Sequence, residues 1–287
     1  MTAIRRSWKI GKVTVTKAVE MVQRQNLKWL IPDAQPERVK KIDWLQPHFA
    51  DPDGYGFLSI HSLIVESQGQ RILVDTCVGD DKNLPGMGDW SGKQSDFLTT
   101  LSESGARPDS IDQVLCTHLH VDHVGWNTCL EEGRWVPTFR NARYLWSRLE
   151  HEHWIRDEEE LSRNIMKESV RPVFDAGMVD LVETDHRLTD EVQLESTPGH
   201  TPGHVSLHIT SEGEEAIITG DFIHHPCQCT HPDWSSSFDV DASQGIQTRR
   251  RFFAQYADRP VLIIGTHFAG VTAGHLIRDG KAWRLVD

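Results

Sequence analysis

Apolar and polar positions fall into short runs along this chain, not into long helical stripes. Loose alternation from about Ile10 to Val22 (Ile10, Val13, Val15, Ala18) predicts a first strand. Phe57 to Val65 alternates more strictly, and Arg71 to Thr76 returns after Gln68-Gly69-Gln70, a hairpin signal. Ile111 to Leu115, Ala142 to Trp146, Val192 to Thr197, Val205 to Ile209, Glu215 to Thr219 and Val261 to Ile264 read as further strands, with the last near His275 to Ile277 and Trp283 to Leu285. Helical spacing is confined to Asp96 to Ser104 (stopped by Gly105), Gln244 to Ala257, and Ser147 to Arg171. The last of these is charged throughout, with a sparse apolar set, and predicts one or two surface helices. Between residues 23 and 56 the pattern breaks up, with Trp29, Trp44 and Phe49 among prolines and charges. That stretch predicts an irregular arm, either a flap over a pocket or a clasp on a second subunit.

Strands that pair locally and alternate with helices predict two mixed β-sheets packed face to face with helices outside, an α+β fold of the αββα sandwich type. No low-complexity linker interrupts the chain, so residues 1–287 are expected to form a single domain.

The chemistry concentrates after one of these strands. Gln113 to Cys116 runs into Thr117-His118-Leu119-His120-Val121-Asp122-His123. In an extended segment alternate side chains share a face, so His118 and His120 point the same way. Asp122 and His123 lie past the strand end, and Gly125-Trp126-Asn127 suits a turn that aims them at a second point. Imidazoles this dense repel one another when protonated, unless a metal or a buried network holds them neutral. The other candidates also follow apolar strands: His200 after Thr197, Asp221 after Thr219 and His267 after Ile264. Such strand ends converge along one sheet edge. Asp75 closes its strand and is expected as a buried acceptor behind a ligand. His151 and His153, among glutamates, read as solvated. Cys227 and Cys229 read as ordinary packing, and Leu84 to Trp90 as a Gly-rich loop that either touches substrate or lies on the surface.

Composition narrows the partners. A net charge of −12 argues against a nucleic-acid groove and against an anionic membrane surface. Ten Trp favour an apolar pocket or interface. Five Cys, odd in number and scattered, imply no disulfide framework and a reducing, cytoplasmic setting. No apolar run follows the basic residues at the N-terminus, so neither a signal peptide nor a membrane span is expected.

The motif His118-x-His120-x-Asp122-His123, followed in order by His200, Asp221 and His267, resembles the metallo-β-lactamase superfamily of hydrolases. The resemblance implies that His118, His120 and His200 bind one metal ion, that Asp122, His123 and His267 bind a second, and that Asp221 bridges them. The donor types suit two divalent ions, zinc first, with manganese, cobalt or iron as alternatives. His123 and Asp221 depart from the usual class B β-lactamase pattern. Gly220 to Pro226 and Thr266 to Gly270 resemble the lactonase and methyl parathion hydrolase-like branch. Quorum-quenching lactonases often carry a Tyr three residues beyond the bridging Asp; here that residue is His224, which either binds the substrate carbonyl or supports Asp221.

The implied function is hydrolysis of a lactone or related carboxylic ester by a metal-bridging hydroxide, with Asp122 relaying a proton to the leaving oxygen. The alternatives are an aryl ester or organophosphate triester hydrolase and an iron-dependent sulfur dioxygenase. The expected partner is a small neutral or apolar ester or lactone, held by arm aromatics and Trp90, with a homodimer expected by resemblance.

Overall fold

The computed structural model describes residues 7–286. The reading of the N-terminus as free of a signal peptide falls partly on residues 1–6, outside the described residues. A first sheet begins with β1 (Ser7–Ile10), β2 (Val13–Gln25), β3 (Gly56–Ser67), β4 (Gln70–Val74) and β5 (Gln113–Leu115). A separate hairpin, β6 (Thr128–Glu131) and β7 (Arg134–Pro137), follows, and β8 (Arg143–Ser147) and β9 (Val179–Val182) complete the first sheet in the order β1-β2-β3-β4-β5-β8-β9. The second sheet runs in sequence order: β10 (Arg187–Thr189), β11 (Val192–Ser196), β12 (Val205–Ser211), β13 (Glu214–Ile218), β14 (Val261–Ile264), β15 (Ala273–Asp279) and β16 (Ala282–Val286). Both sheets are mixed. β4, β5, β8 and β9 run parallel, as do β13 and β14, and the other pairs are antiparallel.

Alternation explains the layers. Val13, Val15, Leu63, Val65 and Leu115 from one sheet meet Leu207, Ile209, Ile218 and Ile264 from the other in a buried interface. The opposite face of the first sheet packs on helical segments through Phe97, Leu101, Trp146 and Trp154. The opposite face of the second packs on helix Ala242–Tyr256 through Phe252, Phe253 and Tyr256. Asp241 caps that helix by accepting from the Gln244 N–H at 2.9 Å.

The predicted first strand is two strands. Gly11, at φ 54°, turns the chain between them, and a Cβ there would lie 2.3 Å from the Ser211 carbonyl oxygen. The arm holds only short turns of helix (Leu27–Trp29, Pro36–Val39, Asp43–Leu45), but it is packed down. Leu27, Ile31, Leu45 and Phe49 are buried against Phe222, Phe252 and Phe268. The charged stretch predicted as surface helices is helices Arg148–Trp154, Glu160–Ile165 and Arg171–Asp175, with a π-helical turn at Met166–Val170. That stretch is not confined to the surface, because Glu150, Trp154 and Ile165 are buried.

Every parallel pair sends its carboxyl ends to the same edge. β4 delivers Asp75, β5 the His118–His123 loop, β8 the helix bearing Glu150, β13 Asp221 and β14 His267. Open α/β sheets place ligands outside such ends.

Candidate metal centre

The first trio is His118, His120 and His200. His118 Nε2 lies 3.0 Å from His120 Nδ1, which lies 2.8 Å from His200 Nε2. Hydrogen bonds on the far side of two rings fix which nitrogen faces inward. Thr117 Oγ1–H donates to Asp75 Oδ2 at 2.9 Å, so its lone pair accepts from His118 Nδ1–H at 3.1 Å. His200 Nδ1–H donates to Asp239 Oδ1 at 2.9 Å. His118 Nε2 and His200 Nε2 therefore turn bare lone pairs toward His120. Burial, then the neighbouring imidazoles, push His118 and His120 well below their ordinary pKa, so protons do not relieve the crowding. A tetrahedral zinc with N ligands at about 2.0–2.1 Å spaces those nitrogens by about 3.3 Å, close to what is seen.

The second group is Asp122, His123 and His267. His123 Nδ1–H donates to Asp75 Oδ2 at 2.9 Å, and His267 Nδ1–H donates to the Ser59 carbonyl at 3.2 Å. Their Nε2 atoms lie 3.3 Å apart, and those of His123 and His267 lie 3.6 Å and 3.5 Å from the Asp122 oxygens. Asp221 stands between the groups. Its Oδ2 is 3.1 Å from His267 Nε2, 3.2 Å from His123 Nε2, 3.8 Å from His200 Nε2 and 3.9 Å from His118 Nε2. Its Oδ1 is buried with no hydrogen-bond partner. Burial would raise the Asp221 pKa, but His267, His123 and His224 outweigh it and hold the carboxyl well below the usual range. Burial likewise opposes charge on His123 and His267, yet Asp221 and its fellow carboxylates raise both. An orphaned buried carboxylate oxygen and opposed imidazole lone pairs are the donor set of a divalent-cation site. Each group's donor atoms fall within 4.8 Å of one another.

All the residues predicted from sequence meet here, and Asp75 braces both His123 and the Thr117 N–H, the latter at 2.7 Å. His224 joins them, its Nε2 3.4 Å from Asp221 Oδ2 and its Nδ1 buried without a partner. Three supporting residues went unread in the sequence. Asp239 holds His200. The Asp221 N–H donates to His204 Nε2 at 2.7 Å, so His204 carries its proton on Nδ1 and donates to Thr197 Oγ1 at 2.8 Å, and burial pushes its pKa down to about 3. Glu150 accepts from Leu119 N–H and Gly203 N–H, both at 3.1 Å, and from the Trp154 indole N–H. The repeat Pro198-Gly199-His200, Pro202-Gly203-His204 was the available signal for His204.

A cavity of about 390 Å³ opens over the cluster, walled by Leu58, Ile60, Met87, Trp90, Trp154 and Leu161, with Trp29 and Leu30 from the arm. Among its described lining residues there is no Lys or Arg, while Asp157 and Glu159 stand among them. Of the arm, expected as a flap or a clasp, Trp29 and Leu30 lie in this wall, and of the Leu84–Trp90 loop, Met87 and Trp90 do. His151 and His153 depart from the solvated reading. His153 is half-buried and lines the cavity, and His151 stacks on Phe174 at 4.9 Å between ring centres. Cys227 and Cys229 are buried and free, as expected of packing residues. No helix among the described residues is long and apolar enough to cross a membrane.

Known proteins resemble this chain in sequence and in fold. The N-acyl homoserine lactonase AiiA of Bacillus thuringiensis subsp. kurstaki is 28% identical over 172 residues, 56% of this chain and 62% of that protein. A Bacillus cereus N-acyl homoserine lactonase is 32% identical over 176 residues, with the same coverage. The chain thus spans about three fifths of the length of these curated relatives. Among solved structures, AidC, a dizinc quorum-quenching lactonase, superposes with a TM-score of 0.82 at 22% identity, covering 98% of this chain and 96% of that one. The hydrolase AbOPH superposes with a TM-score of 0.80 at 23% identity, covering 100% of this chain and 98% of its own. Residues 55–267 match the metallo-beta-lactamase superfamily, and the chain belongs to that superfamily.

Proposed function

We propose that this chain is a dinuclear metal-dependent hydrolase acting on neutral lactones or related carboxylic esters. His118, His120 and His200 would hold one divalent ion and Asp122, His123 and His267 the other, with Asp221 shared and zinc the first candidate. Bound there, the ions supply Lewis-acid polarisation of a carbonyl and a water activated at neutral pH. The chain's own residues do the rest. Asp122, which lines the cavity, would pass a proton to the leaving alkoxide. His224 also lines the cavity and is a candidate donor to the substrate oxygen. The apolar walls exclude water and seat an acyl or alkyl group, while the carboxylates of Asp157 and Glu159 in the lining disfavour an anionic substrate.

One observation carries the reading: opposed imidazole lone pairs and an unpartnered Asp221 oxygen lie against an apolar cavity with no Lys or Arg among its described lining residues. Similarity to N-acyl homoserine lactonases supports lactones as the first substrate class to test. The test is a panel on metal-replete protein: acyl-homoserine lactones, simple lactones, aryl esters and a phosphotriester, ranked by kcat/KM. Lactones should rank first. A phosphotriester or aryl ester ranking first would overturn the substrate assignment.

A further inference from the structure

The segment 236–241 touches the arm, the cavity and a candidate ligand at once. Its Ser237 N–H donates to the Leu30 carbonyl at 2.8 Å, which fastens it to the arm. Phe238 lines the cavity and packs edge-on against Trp29 of the arm, with ring centres 5.8 Å apart. Asp239 Oδ1 accepts from His200 Nδ1–H at 2.9 Å, and its Oδ2 accepts from the Ser236 N–H at 3.0 Å. The Val240 N–H donates to the His200 carbonyl at 2.9 Å, and the Asp241 N–H to the Gly199 carbonyl at 2.9 Å. His200 is therefore held by side chain and backbone from one short segment that also forms cavity wall.

The segment is itself clamped. Arg249 is buried at 1% exposure. It donates from Nε to the Pro232 carbonyl, from Nη1 to the Phe222 carbonyl and from Nη2 to the Trp234 carbonyl, each at 3.1 Å. The clamp joins the approach to Asp239 with the turn that carries Asp221. From the other side, Gly199 sits at φ 132°, where a Cβ would lie 2.2 Å from the Gly245 nitrogen of helix Ala242–Tyr256. Neither flank leaves room for His200 to shift independently of residues 236–241.

We propose that Asp239 is a positioning residue that couples the cavity wall to the first cation-binding trio: packing of Trp29 on Phe238 restrains the segment, and the segment restrains His200. The proposal rests on the dinuclear reading above. A carboxylate that orients a ligating imidazole fixes its tautomer and raises its basicity, and losing such a partner typically costs 10- to 100-fold in metal affinity. Trp29 is not itself a candidate ligand, and the ring it packs on is that of Phe238. Its effect would have to travel through the segment, and coupling of that kind is worth about 2- to 30-fold.

The test is stepwise zinc binding by competition with a chromophoric chelator, with no substrate present. Wild type should bind two ions. Asp239→Asn, nearly isosteric, and Asp239→Ala should weaken one site by about 10- to 100-fold. The second site, whose His123 is braced by Asp75, should be unchanged. The cobalt-loaded variants should show an altered visible spectrum. Trp29→Ala should weaken the same site by about 2- to 30-fold. Should Asp239→Ala fail to fold, Asp239→Asn decides. Unchanged affinity in Asp239→Asn, or in Trp29→Ala, overturns the coupling and leaves the hydrolase reading intact. Wild type that binds no zinc at all overturns the hydrolase reading itself.

Discussion

Glu150 offers the sharpest test of how the site is built. It is fully buried on the helix that follows β8, and its backbone N–H is capped by Ser147 Oγ at 3.1 Å. Its carboxylate joins two loops that are distant in sequence. Leu119, whose N–H it accepts, lies between His118 and His120, and Gly203, whose N–H it also accepts, lies between His200 and His204. The third donor is the indole of Trp154, whose ring packs 5.0 Å from His120. One carboxylate thus braces every member of the first trio. Removing it by Glu150→Leu leaves three buried N–H donors unpaired, each costing about 1–3 kcal/mol. The substitution also removes the cost of burying a charge, but its backbone partners cannot be replaced in turn. A net loss of about 3–5 kcal/mol follows, the usual cost of breaking a buried charged network from one side. Glu150→Gln keeps one acceptor oxygen but turns an NH₂ toward an N–H donor, and should cost about 1–3 kcal/mol.

The assay is urea unfolding of the metal-free protein, paired with zinc affinity by chelator competition. The expected order of stability is wild type, then Gln, then Leu, with zinc affinity falling in the same order. Burial raises the Glu150 pKa above its ordinary value of 4.5. The folded chain then holds a proton that the unfolded chain has lost, so this group's contribution falls as pH rises through the folded value. Wild type should therefore lose stability relative to Gln as pH climbs above about 4.5. A Leu variant that unfolds within about 1 kcal/mol of wild type and binds zinc equally well would refute the bracing argument, because buried N–H groups left unpaired cannot be that cheap.

Further outcomes follow from single residues. His120→Ala should lose bound metal and activity together, and activity that survives without metal, read by mass spectrometry on the assayed sample, would sink the mechanism. Gly199→Ala should cost at least 10-fold in zinc affinity, since its new Cβ would collide with the Gly245 backbone and carry His200 with it. His225 donates Nε2–H to the Phe49 carbonyl at 2.8 Å and accepts the Cys227 N–H at Nδ1, and burial pushes its pKa down to about 4. Its contribution is full above 6.5 and lost as pH falls toward 4, so urea midpoints should drop across that window, and a flat profile would count against a neutral His225. His224→Ala should lower kcat/KM on lactones by about 10-fold or more with zinc content unchanged if the ring meets substrate; unaltered kinetics would assign it a supporting role only.

How far the sequence reaches is visible residue by residue. The ligand types lie at the ends of apolar runs, and a run that must be a buried strand places its exit at a sheet edge, so His118 to His123, Asp221 and His267 could be found by position alone. The layers were legible for the same reason. What pattern cannot carry is a partner set by packing. Asp239 lies 39 residues beyond His200 in a segment without periodicity, and nothing local marks its carboxylate as aimed at that ring. Glu150 sits in a run so rich in charge that helix amphipathicity points it outward, yet three N–H donors inside the fold make burial tolerable. The arm reads as irregular, and holds only short helical turns, because its apolar residues have no regular spacing, so pattern does not show where it packs. Burial of Leu27, Ile31 and Phe49 against the second sheet's outer face needs surface complementarity, not period.

The two halves of the centre are balanced differently, and that difference predicts how metal binding should report itself. In the first trio, burial holds His118 and His120 toward the neutral form, so a single Nδ1–H on His120 can meet only one of the two lone pairs that face it, and a cation meets all three rings at once. In the second group, Asp221 and its neighbours raise His123 and His267, so without metal these two rings are held toward the protonated form. Loading the first site should then release little, and loading the second should displace protons, because a ligating imidazole must be neutral. Calorimetric titration of zinc near pH 7 in two buffers of different ionisation enthalpy separates the two. The two steps should differ in apparent enthalpy by unequal amounts between buffers, with the proton-releasing step abolished in His267→Ala. Zinc at 100-fold above its dissociation constant should also add about 2.7 kcal/mol to stability. Equal proton release in both steps would mean that the carboxylates do not divide the centre as the distances from Asp221 Oδ2 indicate, and that the imidazoles titrate as one set.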